Sequence, residues 1–253
     1  MLESQPFFDL APVWASMPIL LKGFAIAMLS ATLGTILAAI VGLAVAIVRL
    51  GPAPFSWFAF AFTQLFRGVP LYVLIIWIYF GVAIAADVNI PAIPAGILTL
   101  ALLNAGYLSE TFRSGILAVD RGQREAGLAM GLSRFAVMRH VILPQATRIV
   151  IPPTGNQYVD AIKDSAILSI IGVPELMRET QQLADLYYRP FEFYTAAAVL
   201  YLIAVLLVAR AFTALERRMS IQRLSTTTSN TTQNKLKGGH ETAALSAEEK
   251  VNN

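Results

Sequence analysis

Residues Ile19 to Val48 form an almost unbroken apolar run, interrupted only by Lys22. Thirty residues of helix reach about 45 Å at 1.5 Å per residue, enough to cross the roughly 30 Å hydrocarbon core of a bilayer with tilt or overhang. Nothing in the run supplies the charged face that a water-soluble amphipathic helix needs. The whole chain agrees: 56% of its 253 residues are hydrophobic, only 14% are charged, and the mean hydropathy is +0.62. Soluble domains carry about 25% charged residues. The expected fold class is therefore an all-α membrane protein.

Three more apolar stretches follow. The second runs from Phe55 to Ala86 and is divided by Arg67-Gly68-Val69-Pro70. The expected span is 68–86, with 55–66 its extension or an interfacial helix. The third covers about Ile93 to Ile116, with Glu110 and Arg113 near its end, and the last about Phe193 to Ala214. Between these two lies 145–172, whose polar middle holds Asn156, Gln157, Asp160, Lys163 and Asp164. Such a helix cannot face lipid but can line a cavity inside a bundle. Counting it gives a bundle of about five transmembrane helices.

Loop charges fix the expected orientation. Arginines crowd the segment after the third span (Arg113, Arg121, Arg124, Arg134, Arg139, Arg148) and the end of the last span (Arg210, Arg217, Arg218, Arg223), and Arg49 follows the first. Basic loops stay cytoplasmic. The loop near Asp87 lacks Lys and Arg, and 173–192 is mixed. Five spans with the N-terminus outside and the C-terminus cytoplasmic satisfy every loop. Residues 1–18 carry no basic region of the signal-peptide kind and read as an external N-terminal segment. Residues 19–218 form the transmembrane domain. Residues 225–253, rich in Ser, Thr and Asn, read as a disordered cytoplasmic tail.

Enzyme chemistry finds little support. There is no cysteine, and the only histidines are His140 and His240, which excludes thiolate sites and a histidine-rich metal centre. No Walker A loop, H-E-x-x-H or G-x-S-x-G occurs. A net charge of +3 gives no general nucleic-acid partner. Ala38, Gly42 and Ala46 place small residues every four positions in the first span, suited to close helix approach or to ordinary packing. Gly122 to Pro144 reads GQREAGLAMGLSRFAVMRHVILP. Its Leu128, Met130, Leu132, Phe135, Val137 and Met138 either form a cytoplasmic docking surface or pack under the chain's own bundle.

That loop resembles the EAA loop of the membrane permease subunits of bacterial ABC importers. Glu125-Ala126-Gly127, then Gly131, then Val141-Ile142-Leu143-Pro144 keep the family spacing, with Gly127 and Val141 as mild departures. Phe66-Arg67-Gly68-Val69-Pro70-Leu71, Glu110-x-x-Arg113-Ser114-Gly115-Ile116, Gly122-Gln123 and Leu143-Pro144-Gln145-Ala146 resemble the polar amino acid group (histidine, glutamine, glutamate). So do Lys163-Asp164-Ser165-Ala166-Ile167 and Ile171-Gly172-Val173-Pro174-Glu175-Leu176, although Ser165 and Ala166 stand where the group has Thr and Ser. The likeness runs in order over about 20–215.

The resemblance implies a type I importer fold with a short cytoplasmic coupling helix, in the bacterial inner membrane. It implies a transport subunit rather than an enzyme, with ATP and Mg bound by a partner ABC ATPase dimer and no cofactor on this chain. A second permease subunit, identical or paralogous, and an external solute-binding protein would complete the assembly. Glu125, Ala126, Gly127, Gly131 and Leu132 would couple to the ATPase, with Glu125 bonding near the helix N-terminus. From the residues themselves, Asn156, Gln157 and Asp160 are expected to contact solute, since one carboxylate with two amides offers both acceptors and donors to a zwitterionic amino acid. Arg67, Glu110, Lys163 and Asp164 would be structural or gating charges. The alternative is an ion- or proton-coupled secondary transporter using Glu110, Asp160 and Asp164.

Overall fold

The computed structural model describes residues 9–219. A short helix α1 (Ala11–Ala15) precedes α2 (Met17–Arg49), the long apolar run of the sequence. Then come α3 (Phe55–Gly68), α4 (Leu71–Ile76), a π-helical turn (Trp77–Val82) and α5 (Ala83–Ala86). α6 (Ala92–Leu117) leads to α7 (Arg121–Ala129) and α8 (Arg134–Val137). A π-helical stretch, Met138–Ile142, runs into α9 (Leu143–Asp164), which tightens to a 3₁₀ turn over Ser165–Ile171. α10 (Leu176–Tyr187) and α11 (Pro190–Met219) complete the described chain. The tail at 225–253 lies outside the described residues, as do residues 1–8 of the external segment.

By length and composition α2, α6 and α11 can each cross a membrane. The divided second stretch is more broken than its sequence suggests. Residues 55–68 form a helix of their own, bent by 106° from Leu71–Ala86. Pro70 forces this break, because its ring disfavours helical geometry at Val69, whose ψ is 128°. Counted as one span, the bent pair makes a fourth. α9 does not meet the same standard, because Arg148, Asp160, Lys163 and Asp164 dilute its apolar content.

The centre of the bundle is the seam between α2 and α6. Ala38 and Ala46 are fully buried, and the glycines beside them bring the two backbones together. A Cβ on Gly34 would sit 2.9 Å from Leu100 Cβ. One on Gly42 would sit 3.1 Å from Ser109 N and 3.2 Å from Ala105 O. The small residues of the first span thus serve close approach to the chain's own third apolar helix, where dispersion replaces the hydrophobic effect as the adhesive. Two hydroxyl pairs tie other helices to this seam: Thr63 Oγ1 with Ser109 Oγ at 3.0 Å, and Thr32 Oγ1 with Tyr158 Oη at 2.7 Å.

At one end of the bundle Glu175 organises α10. Its carboxylate accepts from Met177 N and Arg178 N, both at 2.8 Å, capping the helix. Tyr201 Oη of α11 donates to the same carboxylate at 2.9 Å, and Gly23 of α2 packs against the Glu175 backbone. Phe193, Leu20 and Leu176 fill the core around it. α11 buries Ala197 and Ala204 on one face and exposes Leu202, Ile203, Leu206 and Leu207 on the other, the pattern of a helix with a lipid-facing side.

Candidate functional site

The α3–α4 break, α6 and the polar middle of α9 enclose a cleft of about 540 Å³. Arg67 and Tyr107 form one wall, and Gln157, Asp160, Lys163 and Asp164 the other. Arg67 arrives at the end of α3, where Gly106 of α6 lets the two backbones meet: a Cβ there would lie 3.2 Å from Phe66 Cβ. Its guanidinium rests 5.3 Å from the centre of the Tyr107 ring. A second pocket of about 240 Å³ shares Arg67, Tyr107, Gln157 and Asp160 with the first and reaches Glu110 and Asn156. The two read as one polar groove along α9. A larger recess of about 650 Å³ on α11 is lined almost entirely by apolar atoms and brings no chemistry together.

Spacing along α9 explains the groove. Asn156, Asp160 and Lys163 recur at three and four residues and so share a helix face. Asn156, Asp160 and Lys163 are exposed in the isolated chain, while Gln157 and Asp164 are half-buried. Lys163 Nζ holds Asp160 Oδ1 at 2.7 Å. Gln157 Nε2 donates to Asn104 Oδ1 at 2.5 Å, and Asn104 Nδ2 donates to the Leu100 carbonyl at 2.7 Å. Asn104 is fully buried in α6.

Glu110 stands apart from the other carboxylates. It is gripped by Arg49 from the end of α2 and by Arg113 one turn along α6, the latter at 2.5 Å. Arg49 also lies 5.3 Å from the Phe60 ring of α3, so the cluster joins three helices. Of the partners that spacing leaves open to Lys163 (Asp160, Asp164 and Glu110), it takes Asp160. Arg49 and Asn104 do more here than the sequence alone signals. Arg49 was visible only as a loop charge. The sequence marks Asn104 only as an amide inside the apolar stretch Ile93 to Ile116.

The coupling segment folds as α7, a tight reversal and α8. Asp120 caps α7, its Oδ1 accepting from Gly122 N at 2.7 Å. The structure thus gives Asp120, not Glu125, the place at the helix N-terminus. Glu125 is the fifth residue of α7 and, with Ala126, faces outward. Gly127 is buried against Val137, a Cβ there falling 3.0 Å from Val137 Cγ2. Gly131 has φ +82°. Leu132 N bonds to Gly127 O at 3.2 Å and Gly131 N to Leu128 O at 3.0 Å. This is a Schellman closure, whose left-handed position suits glycine. The apolar residues divide between the two readings of the sequence: Val137 packs inward, whereas Met130 and Phe135 are 82% and 73% exposed.

A helical bundle that keeps a charged groove among lipid-facing helices is built to pass a polar solute, which defines the class as a membrane permease. The chain belongs to the family described as binding-protein-dependent transport system inner membrane component, whose model matches residues 38–221. It is a permease subunit of an ABC importer, and ATP hydrolysis falls to a separate subunit of such systems. The glutamine transport system permease protein GlnP of Escherichia coli K12 is 36% identical over 216 residues, covering 85% of this chain and 99% of that one. The arginine transport system permease protein ArtQ of Bacillus subtilis is 31% identical, covering 83% and 97%. Among solved structures, an amino acid ABC transporter crystallised with histidines matches with a TM-score of 0.79 at 32% identity, over 83% of this chain and 99% of that chain. The inward-facing MetNI methionine transporter shares the fold, with a TM-score of 0.65 at 20% identity, over 84% and 99%.

Proposed function

We propose that this chain forms the translocation path for a polar amino acid in an ATP-driven importer. The observation that carries the reading is the polar face of α9, which lines the Arg67–Tyr107 cleft. Gln157 and Asp160 border both pockets, and Asn156 lines the second. Relatives named for glutamine and arginine transport support an amino acid as the solute.

The other parts of the assembly follow from the same reading. α7 and the Gly131 reversal present Glu125, Met130 and Leu132 for docking to a pair of ABC ATPase subunits. A rigid short helix converts closure of that pair into movement of the spans packed on it. A second permease subunit and an external solute-binding protein complete the importer. The bent pair and α9 each cross the inner membrane, giving five spans with the N-terminus outside and the C-terminus cytoplasmic. ATP and Mg stay on the partner. Of the three carboxylates the secondary-transporter alternative would use, Glu110 and Asp160 are each held by a cation, which leaves it Asp164.

The test is uptake by the reconstituted importer carrying Asp160→Asn. This change keeps the volume and removes the charge. Uptake should weaken, with the complex still assembling. Unchanged uptake at every solute concentration would remove Asp160 from the path.

A further inference from the structure

The charges in the cleft are not all spoken for. Lys163 and Asp160 neutralise each other at 2.7 Å. Arg67 rests on the Tyr107 ring and, among the described residues, makes no ion pair. Asp164 borders the same cleft and likewise makes none. One cation and one carboxylate therefore remain available in a cleft whose four charged side chains sum to zero. Asp164 is half-buried, and such a charge in a membrane protein is costly unless paired, while Arg67 faces the open side of the cleft. A cleft that keeps one unpaired charge of each sign fits a ligand bearing both.

A hydrogen-bond relay adds a third, oriented group. The Leu100 carbonyl takes up Asn104 Nδ2, which turns Asn104 Oδ1 toward α9. Asn104 Oδ1 can only accept, so the group it meets on Gln157 is the amide nitrogen. Gln157 Oε1 is left as a free acceptor on a residue bordering the cleft. Because Asn104 is fully buried, the relay is fixed by the fold and not by solvent.

We infer that the cleft selects zwitterionic amino acids with uncharged side chains, with Arg67 taking the α-carboxylate and Asp164 with Gln157 Oε1 taking the α-ammonium. This rests on the reading of the cleft as the solute path and names what that path distinguishes. Arginine offers carboxylate geometry two parallel N–H bonds, which lysine does not. An ammonium needs acceptors only, and the carboxylate and amide oxygen provide them. The cleft volume of about 540 Å³ lies within the roughly 300–1,000 Å³ of small-molecule sites. A side chain of either charge leaves the filled cleft with a net charge, which a site within the membrane disfavours.

The test uses the purified permease–ATPase complex in nanodiscs, without the external binding protein, so that only the membrane site is read. Equilibrium binding is measured for glutamine, arginine and glutamate. Two truncated probes are added: glutamine α-amide, which lacks the carboxylate, and glutaramic acid, which lacks the ammonium. The intact complex should bind glutamine at least about tenfold more tightly than each of the other four, since a site built for a polar group rejects ligands lacking it. In Arg67→Gln the gap between glutamine and its α-amide should close, while the gap to glutaramic acid persists. In Asp164→Asn the reverse should hold. A structural role for either residue would weaken all probes together and close neither gap. Discrimination surviving both substitutions, or equal binding of arginine and glutamine, would overturn the inference while leaving the cleft as the path. Binding of none of the three amino acids would overturn the path reading and this inference with it.

Discussion

Tyr201 of α11 donates its phenolic hydrogen to Glu175 at 2.9 Å, so the last long helix completes the cap of α10. The carboxyl that receives it is fully buried and is pushed up to about 7 by that burial, more than its three hydrogen bonds pull it down. Glu179, one turn along α10, adds to the upward push, and the Arg178 backbone opposes it.

A pH dependence follows, and its sign is set by the raised value. Between the unfolded value near 4.5 and about 7 the folded chain binds the extra proton, so stability falls as pH rises across that window. The loss amounts to something on the order of 3 kcal/mol, at 1.36 kcal/mol per pH unit. Thermal unfolding of the purified complex at pH 5 and pH 8 should show a lower Tm at pH 8. Glu175→Gln should flatten that difference. A difference unchanged by Glu175→Gln would place the titration elsewhere.

The α2–α6 seam predicts a volume limit. Gly42→Val brings branched carbons into the backbone of Ser109 and Ala105, and should destabilise the chain by about 1–3 kcal/mol or more. Gly68 has nothing within 4 Å of a Cβ, so Gly68→Ala should leave the melting temperature nearly unchanged. Equal melting of the two variants would refute the close approach.

Gly131 allows the coupling reading to be separated from folding. Asn and Asp have similar size, and both tolerate a left-handed position better than other residues. Gly131→Asn should therefore insert and still co-purify with the ATPase. Gly131→Asp adds a charge that would be desolvated in the docking groove, at a cost of several kcal/mol, and should lose the ATPase. Retention of the ATPase by both would show that this reversal lies outside the contact.

Orientation is testable without removing native thiols, since the chain has no cysteine. Ser133→Cys should react with an impermeant maleimide only from the cytoplasmic side, and Asn89→Cys only from the outside. Reaction of Asn89→Cys from the cytoplasm would defeat the five-span arrangement.

Much of the architecture was legible because lipid imposes a simple rule: apolar residues on every outward face. Ile19 to Val48, Ile93 to Ile116 and Phe193 to Ala214 each became one helix, extended by a few residues at its ends. The break at Pro70 was legible too, since proline constrains the residue before it. Its 106° angle was not, because the angle depends on how α3 docks on Gly106 of α6. In the groove, residue types were readable but partners were not. Spacing alone left Lys163 open to Asp160, Asp164 or Glu110, and the distances decide for Asp160. Glu110 found Arg49, a residue 61 positions away whose approach depends on the α2–α6 seam.

That seam also divides the chain into positions with different histories open to them. Along one edge of α2, from Gly34 to Ala46, any enlargement has to be matched by a shrinkage at Leu100, Ala105 or Leu108 on the facing helix. Along the opposite edge, Leu29, Ile36, Ile40 and Ile47 face outward and can exchange freely among apolar side chains. Drift should therefore be fast and unlinked on one side of a single helix, and slow and paired on the other.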